Sequence, residues 1–130
     1  KENLKKVNEE NKDLFAKMKE TLTDKVQAIQ FTHRLKNHPV CLTSKGEVSV
    51  EMEKVMNAMP NNENVKAECI MEINENHEIS KKLIDLYQQK DFESIQKYTE
   101  ILYAQARLIE GLSIENPTEI TNLICDILSK

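Results

Sequence analysis

Glycine is almost absent: Gly46 and Gly111 are the only two in 130 residues. Phosphate-cradling loops of the Walker and dinucleotide-binding types need several glycines close together, because only glycine lets the backbone approach the phosphates so closely. Nucleotide binding by those routes is excluded. Cysteine is scarce too. Cys41, Cys69 and Cys125 are far apart, odd in number and form no CxxC pair, so reduced, partly buried thiols are expected rather than a disulfide framework or a zinc site. No apolar run approaches the roughly 20 residues of a membrane span. The first residues, Lys1-Glu2-Asn3-Leu4-Lys5-Lys6, also lack the apolar stretch of a signal peptide. Charge of one sign is missing as well: 18 basic residues are scattered among 22 acidic ones, for a net charge of −4, which gives no field for nucleic acid. These absences predict a cytoplasmic protein that binds neither nucleic acid nor membrane.

Catalytic constellations are missing in the same way. His33, His38 and His77 have no acid or cysteine partner at a recognised spacing, and no nucleophile stands beside a base. No catalytic, cofactor-binding or metal residue is assigned, and an enzyme in its own right is not expected.

What is present suits a folded domain. Charged residues make up 31% and apolar residues 39%, too apolar for a disordered chain, and the length fits one modest core. Residue 1 is Lys, and the chain opens directly into a helical pattern, so a segment of a longer protein is expected.

Leu4, Val7, Leu14, Phe15, Met18 and Leu22 follow helical spacing, with Asn11 interrupting the stripe, which predicts an amphipathic helix over residues 1–24. From 25 to 75 the pattern changes. Val26 to Thr32 alternates and is rich in β-formers, Lys36-Asn37-His38-Pro39 supplies a turn, and Val40 to Thr43 reads as a second strand. Ser49 can cap a short helix from Val50 to Ala58 that Pro60 stops, and Cys69 to Ile73 is a third strand. Residues 76–130 predict three helices: His77 to Gln88, Phe92 to Ile109 behind the cap Asp91, and Pro117 to Ser129. Gly111 ends the second, and Asn116 and Glu119 sit at capping positions of the third. The fold class is mixed α/β, α+β-like: a long helix, a small three-stranded sheet with a short helix, then three helices.

The final two helices carry more apolar residues than capping a small core requires. Phe92, Ile95, Thr99, Leu102, Ala106 and Ile109 alternate steps of three and four, while Tyr98, Ile101 and Leu108 form a second strip beside them. Ile120, Leu123, Ile124, Ile127 and Leu128 place five large aliphatics in about three turns. Burying each is worth roughly 1.5–3 kcal/mol, so something covers them. Periodicity shows burial without showing against what, and the remainder of the chain and a second copy serve equally well. Elsewhere Met52, Met56 and Met59 recur at helical spacing with Val48 and Val55 nearby. Methionine suits surfaces that accept many partners, although plain core filling explains the pattern more readily.

Ordered blocks of residues carry a resemblance. Thr32-His33-Arg34-Leu35 with Pro39-Val40-Cys41-Leu42, then Met52-Glu53-Lys54-Val55-Met56, then Met71-Glu72-Ile73-Asn74 with His77, then Ile101-Leu102-Tyr103-Ala104-Gln105-Ala106, and finally Gly111 with Ile114-Glu115-Asn116-Pro117 resemble the carboxy-terminal domain of the ninety-kilodalton heat-shock chaperones. The match runs from about Lys25 to the end and departs from the family pattern at Asn76 and Glu78, where prolines are common. The chain ends Ile127-Leu128-Ser129-Lys130 rather than in the acidic tail of the eukaryotic cytosolic forms, so the bacterial, HtpG type is implied.

The resemblance implies a homodimer in which the last two helices of each subunit form a four-helix bundle. The implied interface comprises Tyr98, Ile101, Leu102, Gln105, Ala106, Ile109, Ile120, Leu123, Ile124, Ile127 and Leu128. It further implies a stress-response chaperone whose ATP and magnesium are bound in a separate amino-terminal domain, leaving no cofactor for this segment. Contact with unfolded clients through Val48, Met52, Val55 and Met56 is implied as an additional or alternative role.

Overall fold

The computed structural model describes residues 2–35, 37–44, 55, 69–112, 114 and 116–129. Among them are five α-helices and a three-stranded sheet: α1 (Glu2–Glu10), α2 (Lys12–Leu22), β1 (Ala28–Thr32), β2 (Val40–Ser44), β3 (Cys69–Asn74), α3 (Glu78–Gln88), α4 (Phe92–Ile109) and α5 (Pro117–Leu128), with a 3-10 turn at Thr23–Lys25. The mixed α/β class and the three strands agree with the sequence reading. The opening helix does not run unbroken. Asn11 leaves helical geometry (φ −111°, ψ 16°) and its side-chain amide donates to the Val7 carbonyl at 2.9 Å. Asparagine competes for backbone groups in this way, and here it divides α1 from α2. The predicted short helix over 50–58 lies outside the described residues except for Val55.

Strand order is β1-β3-β2. The last strand inserts between the first two, parallel to β1 with Phe31 opposite Ile73, and antiparallel to β2 with Val40 opposite Ile73. Side chains alternate across a strand, so this register puts Ile29, Phe31, Val40, Leu42, Met71 and Ile73 on one face, all of them buried. That face meets Leu14, Phe15, Met18 and Leu22 of α2 and Ile95, Leu102 and Ala106 of α4 in one continuous core. Phe15 and Phe31 meet edge to face with ring centroids 5.0 Å apart, a favoured geometry because the positive ring edge meets the negative ring face.

The opposite face is polar, and there β3 carries Glu72. Its carboxylate accepts hydrogen bonds from the Thr43 hydroxyl (2.6 Å), the Gln30 amide (2.9 Å) and the Arg34 guanidinium. A carboxylate only 9% exposed is tolerated because both oxygens are satisfied and a cation adjoins it. The loop after β1 is fastened twice more. Thr32 Oγ1 accepts from the Arg34 N–H at 3.2 Å, and His33 Nε2 lies 2.5 Å from Glu75. Beyond β3, buried Asn74 donates to the His38 carbonyl and accepts from the Asn76 N–H. His77 is not the first helical residue; it stands one place before α3 and caps it, its Nδ1 accepting from the Ile79 N–H at 3.1 Å.

Helices α3 and α4 end alike. After α4, Gly111 (φ 80°) donates to the Leu108 carbonyl and Leu112 to that of Arg107. After α3, Lys90 (φ 60°) donates to Tyr87 and Asp91 to Leu86. Both are Schellman closures, which need a left-handed residue just past the helix. Asp91 then starts α4 by accepting from the Ser94 N–H. Asn116 occupies the cap position of α5 but its side chain makes no capping hydrogen bond there, and Pro117 fills the first helical position.

The two closures carry opposite residues, and this sets a test. A β-carbon in the left-handed region costs about 1–2 kcal/mol, so Gly111→Ala is expected to destabilise by about that amount. Lys90→Gly is expected to stabilise by about 0.5–1 kcal/mol, the gain being reduced by glycine's entropy in the unfolded chain. Urea denaturation of both variants measures the pair, and equal shifts of one sign would contradict the account.

Candidate functional site

Helix α4 has two apolar strips, and the fold covers one. Ile95, Thr99, Leu102 and Ala106 are buried against α2 and the sheet. The other strip, Tyr98, Ile101, Gln105 and Leu108, is at most half-buried, with Leu108 58% exposed. Helix α5 packs beside it, tethered by Lys97 Nζ at 3.7 Å from an Asp126 oxygen. None of its residues is fully buried.

The residues of α5 divide by face. Ile120 and Leu123 turn toward the core and line a small, partly open cleft with Leu22, Tyr103, Ala104 and Ile114, rimmed by polar residues. Exposed Ile124 and Leu128 and half-buried Ile127, with Tyr98, Ile101, Leu102 and Gln105, line an open groove of about 230 Å³ that Ile79 completes. Leu128 is 77% exposed and Ile124 38%.

Seven of the residues expected at a subunit interface thus meet in one groove. Leu102 reaches it only with its edge, being almost wholly buried, and Ala106 belongs to the subunit's own core. Ile109, at the end of α4, is exposed but not among the groove's lining residues. Of the residues expected to contact clients, Val55 is exposed, while Val48, Met52 and Met56 lie outside the described residues. Ile79 went unrecognised from the sequence, because its place in the groove arises from packing between helices distant along the chain. The pairing of His33 with Glu75, 42 positions apart, was invisible for the same reason.

The polar sheet face is well satisfied and offers little reactivity. Cys41 Sγ lies 3.9 Å from an Arg34 nitrogen and 4.0 Å from a Glu72 oxygen. Burial pushes the Cys41 thiol above its ordinary range, and the nearby Arg34 charge and the Thr43 hydrogen bond offset this only in part. Among the described residues no group of three or more His, Cys, Asp or Glu could hold a metal ion. None of the described helices is long and apolar enough to cross a membrane.

Fold and groove together define a mixed α/β module whose most distinctive surface is an apolar groove between helices. The Hsp90 protein family model matches residues 1–130, and the chain belongs to that family. It is 53% identical over 124 residues to the chaperone protein HtpG of Clostridium perfringens (strain 13 / Type A), covering 95% of this chain and 20% of that protein. Similar matches are the chaperone protein HtpG of Clostridium botulinum (strain Langeland / NCTC 10281 / Type F), 55% identical over 92% of this chain and 19% of the relative, and that of Bacillus subtilis (strain 168), 54% identical over 90% and 18%. The chain therefore spans about a fifth of the length of the curated relatives it matches.

Thiol chemistry separates the two faces. At about pH 8 a thiol-specific alkylating agent is expected to modify exposed Cys125 and to leave Cys41 and Cys69 unmodified until urea unfolds the chain, as read by mass spectrometry. The upward shift of Cys41 means that the fold favours the neutral thiol. Its contribution to stability is whole below the ordinary thiol range and declines as pH rises through the raised value.

Proposed function

We propose that this chain is the carboxy-terminal dimerization domain of an HtpG-type chaperone, and that two copies join through α4 and α5 in a four-helix bundle. One observation carries the reading: an apolar groove whose outer lip is formed by the exposed side chains of Ile124 and Leu128 on a helix with no fully buried residue. A two-fold axis suits it, because a self-complementary patch buries both copies of each residue at once. Joining two long subunits at one end raises the effective concentration of their distant domains. In the parent chaperone this lets the ATP-binding domains, which lie in another part of the protein, close as a clamp on unfolded clients. The segment itself binds no ATP and performs no catalysis.

Replacing Ile124 and Leu128 together by Asp is expected to give monomers. Four large aliphatics leave the interface per dimer, so the loss is on the order of 6 kcal/mol or about ten-thousandfold in dissociation constant. Multi-angle light scattering over a concentration series measures it, and circular dichroism checks that helix content persists. Dimers that survive the double substitution would contradict the assignment.

Client contact through Val48, Met52, Val55 and Met56 is the second reading, favoured by the 56% exposure of Val55. A photo-crosslinker at position 52 is expected to capture an unfolded protein in the full-length chaperone. Adducts no more frequent than from an exposed polar position such as Glu93 would leave dimerization alone.

A further inference from the structure

Among the described residues no further strand pairs with the outer edge of β1, and a side chain meets it instead. Asn8 of α1 accepts a hydrogen bond from the Phe31 N–H through Oδ1 at 2.8 Å, and its Nδ2 donates to the Phe31 carbonyl at 3.5 Å. The asparagine amide has the donor and acceptor of a peptide group, so it occupies the place that a neighbouring strand's peptide would take. Phe31 faces away from β3, whereas the next carbonyl, Thr32, accepts from Glu75 on the β3 side, as the alternation of an edge strand requires.

Helix α1 holds this position lightly. Its apolar residues Leu4 and Val7 are only partly buried against the core, whereas Leu14, Phe15, Met18 and Leu22 of α2 are fully buried. The non-helical Asn11 separates the two. Lifting α1 about Asn11 leaves the core intact and frees the Phe31 peptide group.

We infer that α1 is a displaceable cover over a strand-pairing edge, and that with the cover lifted this edge takes an extended stretch of unfolded polypeptide. The exposed groups would include the Phe31 N–H and carbonyl, a peptide donor and acceptor of the kind that β-strand addition uses with little side-chain selectivity. A second copy of β1 is the less favourable occupant, because two covers would have to lift for one pairing. The inference concerns a different face from the α4–α5 groove and stands or falls independently of the dimer.

The test uses the intact chain and a fluorescein-labelled, end-capped heptapeptide of alternating valine and threonine, read by fluorescence anisotropy. Asn8→Ala is expected to bind it at least about tenfold more tightly than the unsubstituted chain, because removing the latch enlarges the open population. Val7→Ser, which loosens α1 from its apolar side, is expected to act in the same direction. The same peptide N-methylated at alternate amides is expected to lose the gain. Amide hydrogen exchange on the same samples should quicken at Phe31 at least about tenfold in Asn8→Ala while Phe15 and Met18 keep their protection. Phe31 exchange that quickens without tighter peptide binding would overturn the docking edge. Exchange that quickens equally in α2 would overturn the independent cover, and peptide-free self-association of Asn8→Ala beyond the unsubstituted chain's oligomeric state would make a second copy the occupant and overturn the choice of partner.

Discussion

Helix α4 has apolar residues around more of its circumference than the other described elements cover, and the rest of the architecture follows from this. The strip through Ile95, Thr99, Leu102 and Ala106 is used up against α2 and the sheet. Among the described residues the adjacent strip has α5 and Ile79 of α3 beside it, and α5 carries a broad apolar stripe of its own. Its large aliphatics form one broad stripe: Ile120, Leu123 and Ile127 are half-buried, while Ile124 and Leu128, further round the helix, are exposed. The subunit therefore ends in a surface whose exposure is disfavoured.

Such an arrangement needs a rigid base, and β3 supplies it. As the central strand it holds two segments more than 25 positions upstream, one parallel and one antiparallel. Its alternate residues serve different purposes: Met71 and Ile73 enter the core, while Glu72 and Asn74 tie down the loops beyond β1 and before β2. This gives a physical meaning to two of the sequence blocks on which the family resemblance rests. Thr32-His33-Arg34 and Glu72-Ile73-Asn74-Glu75 are distant along the chain but bond to one another, and His77 ends the second block by capping α3. Changing one member would leave a partner unsatisfied, and changing Arg34 would leave behind the nearly buried carboxylate of Glu72.

Legibility from sequence followed the range of the interactions. The helices α3 to α5, the three strands and the cap Asp91 were readable because each is set by periodicity or by a residue within a few positions. The break at Asn11 was marked by a polar residue in the stripe, yet its consequence depended on a side-chain bond that spacing alone does not specify. Strand order and the Glu72 cluster were not readable, since both join residues about 30 to 40 positions apart. For the candidate groove the split is informative. Periodicity found six of the eight residues that line it and set Ala106, which the core consumes, on a different strip from Leu108, but it gave no reason to choose polar Gln105 and could not bring Ile79 to them from another helix.

The same contrast between a firmly packed centre and lightly held ends bears on how the molecule works. Both α1 and α5 rest on the core without a single fully buried side chain among their described residues, so each is held by partial apolar contact and a few polar tethers: Asn8 to Phe31 at one end, Lys97 to Asp126 at the other. Elements of this kind open at lower free energy than the core they cover. A partner copy that completed the groove would add burial to α5 and remove that freedom, while α1, on another side of the molecule, would keep it. Dimer formation would then stabilise one side of the domain selectively.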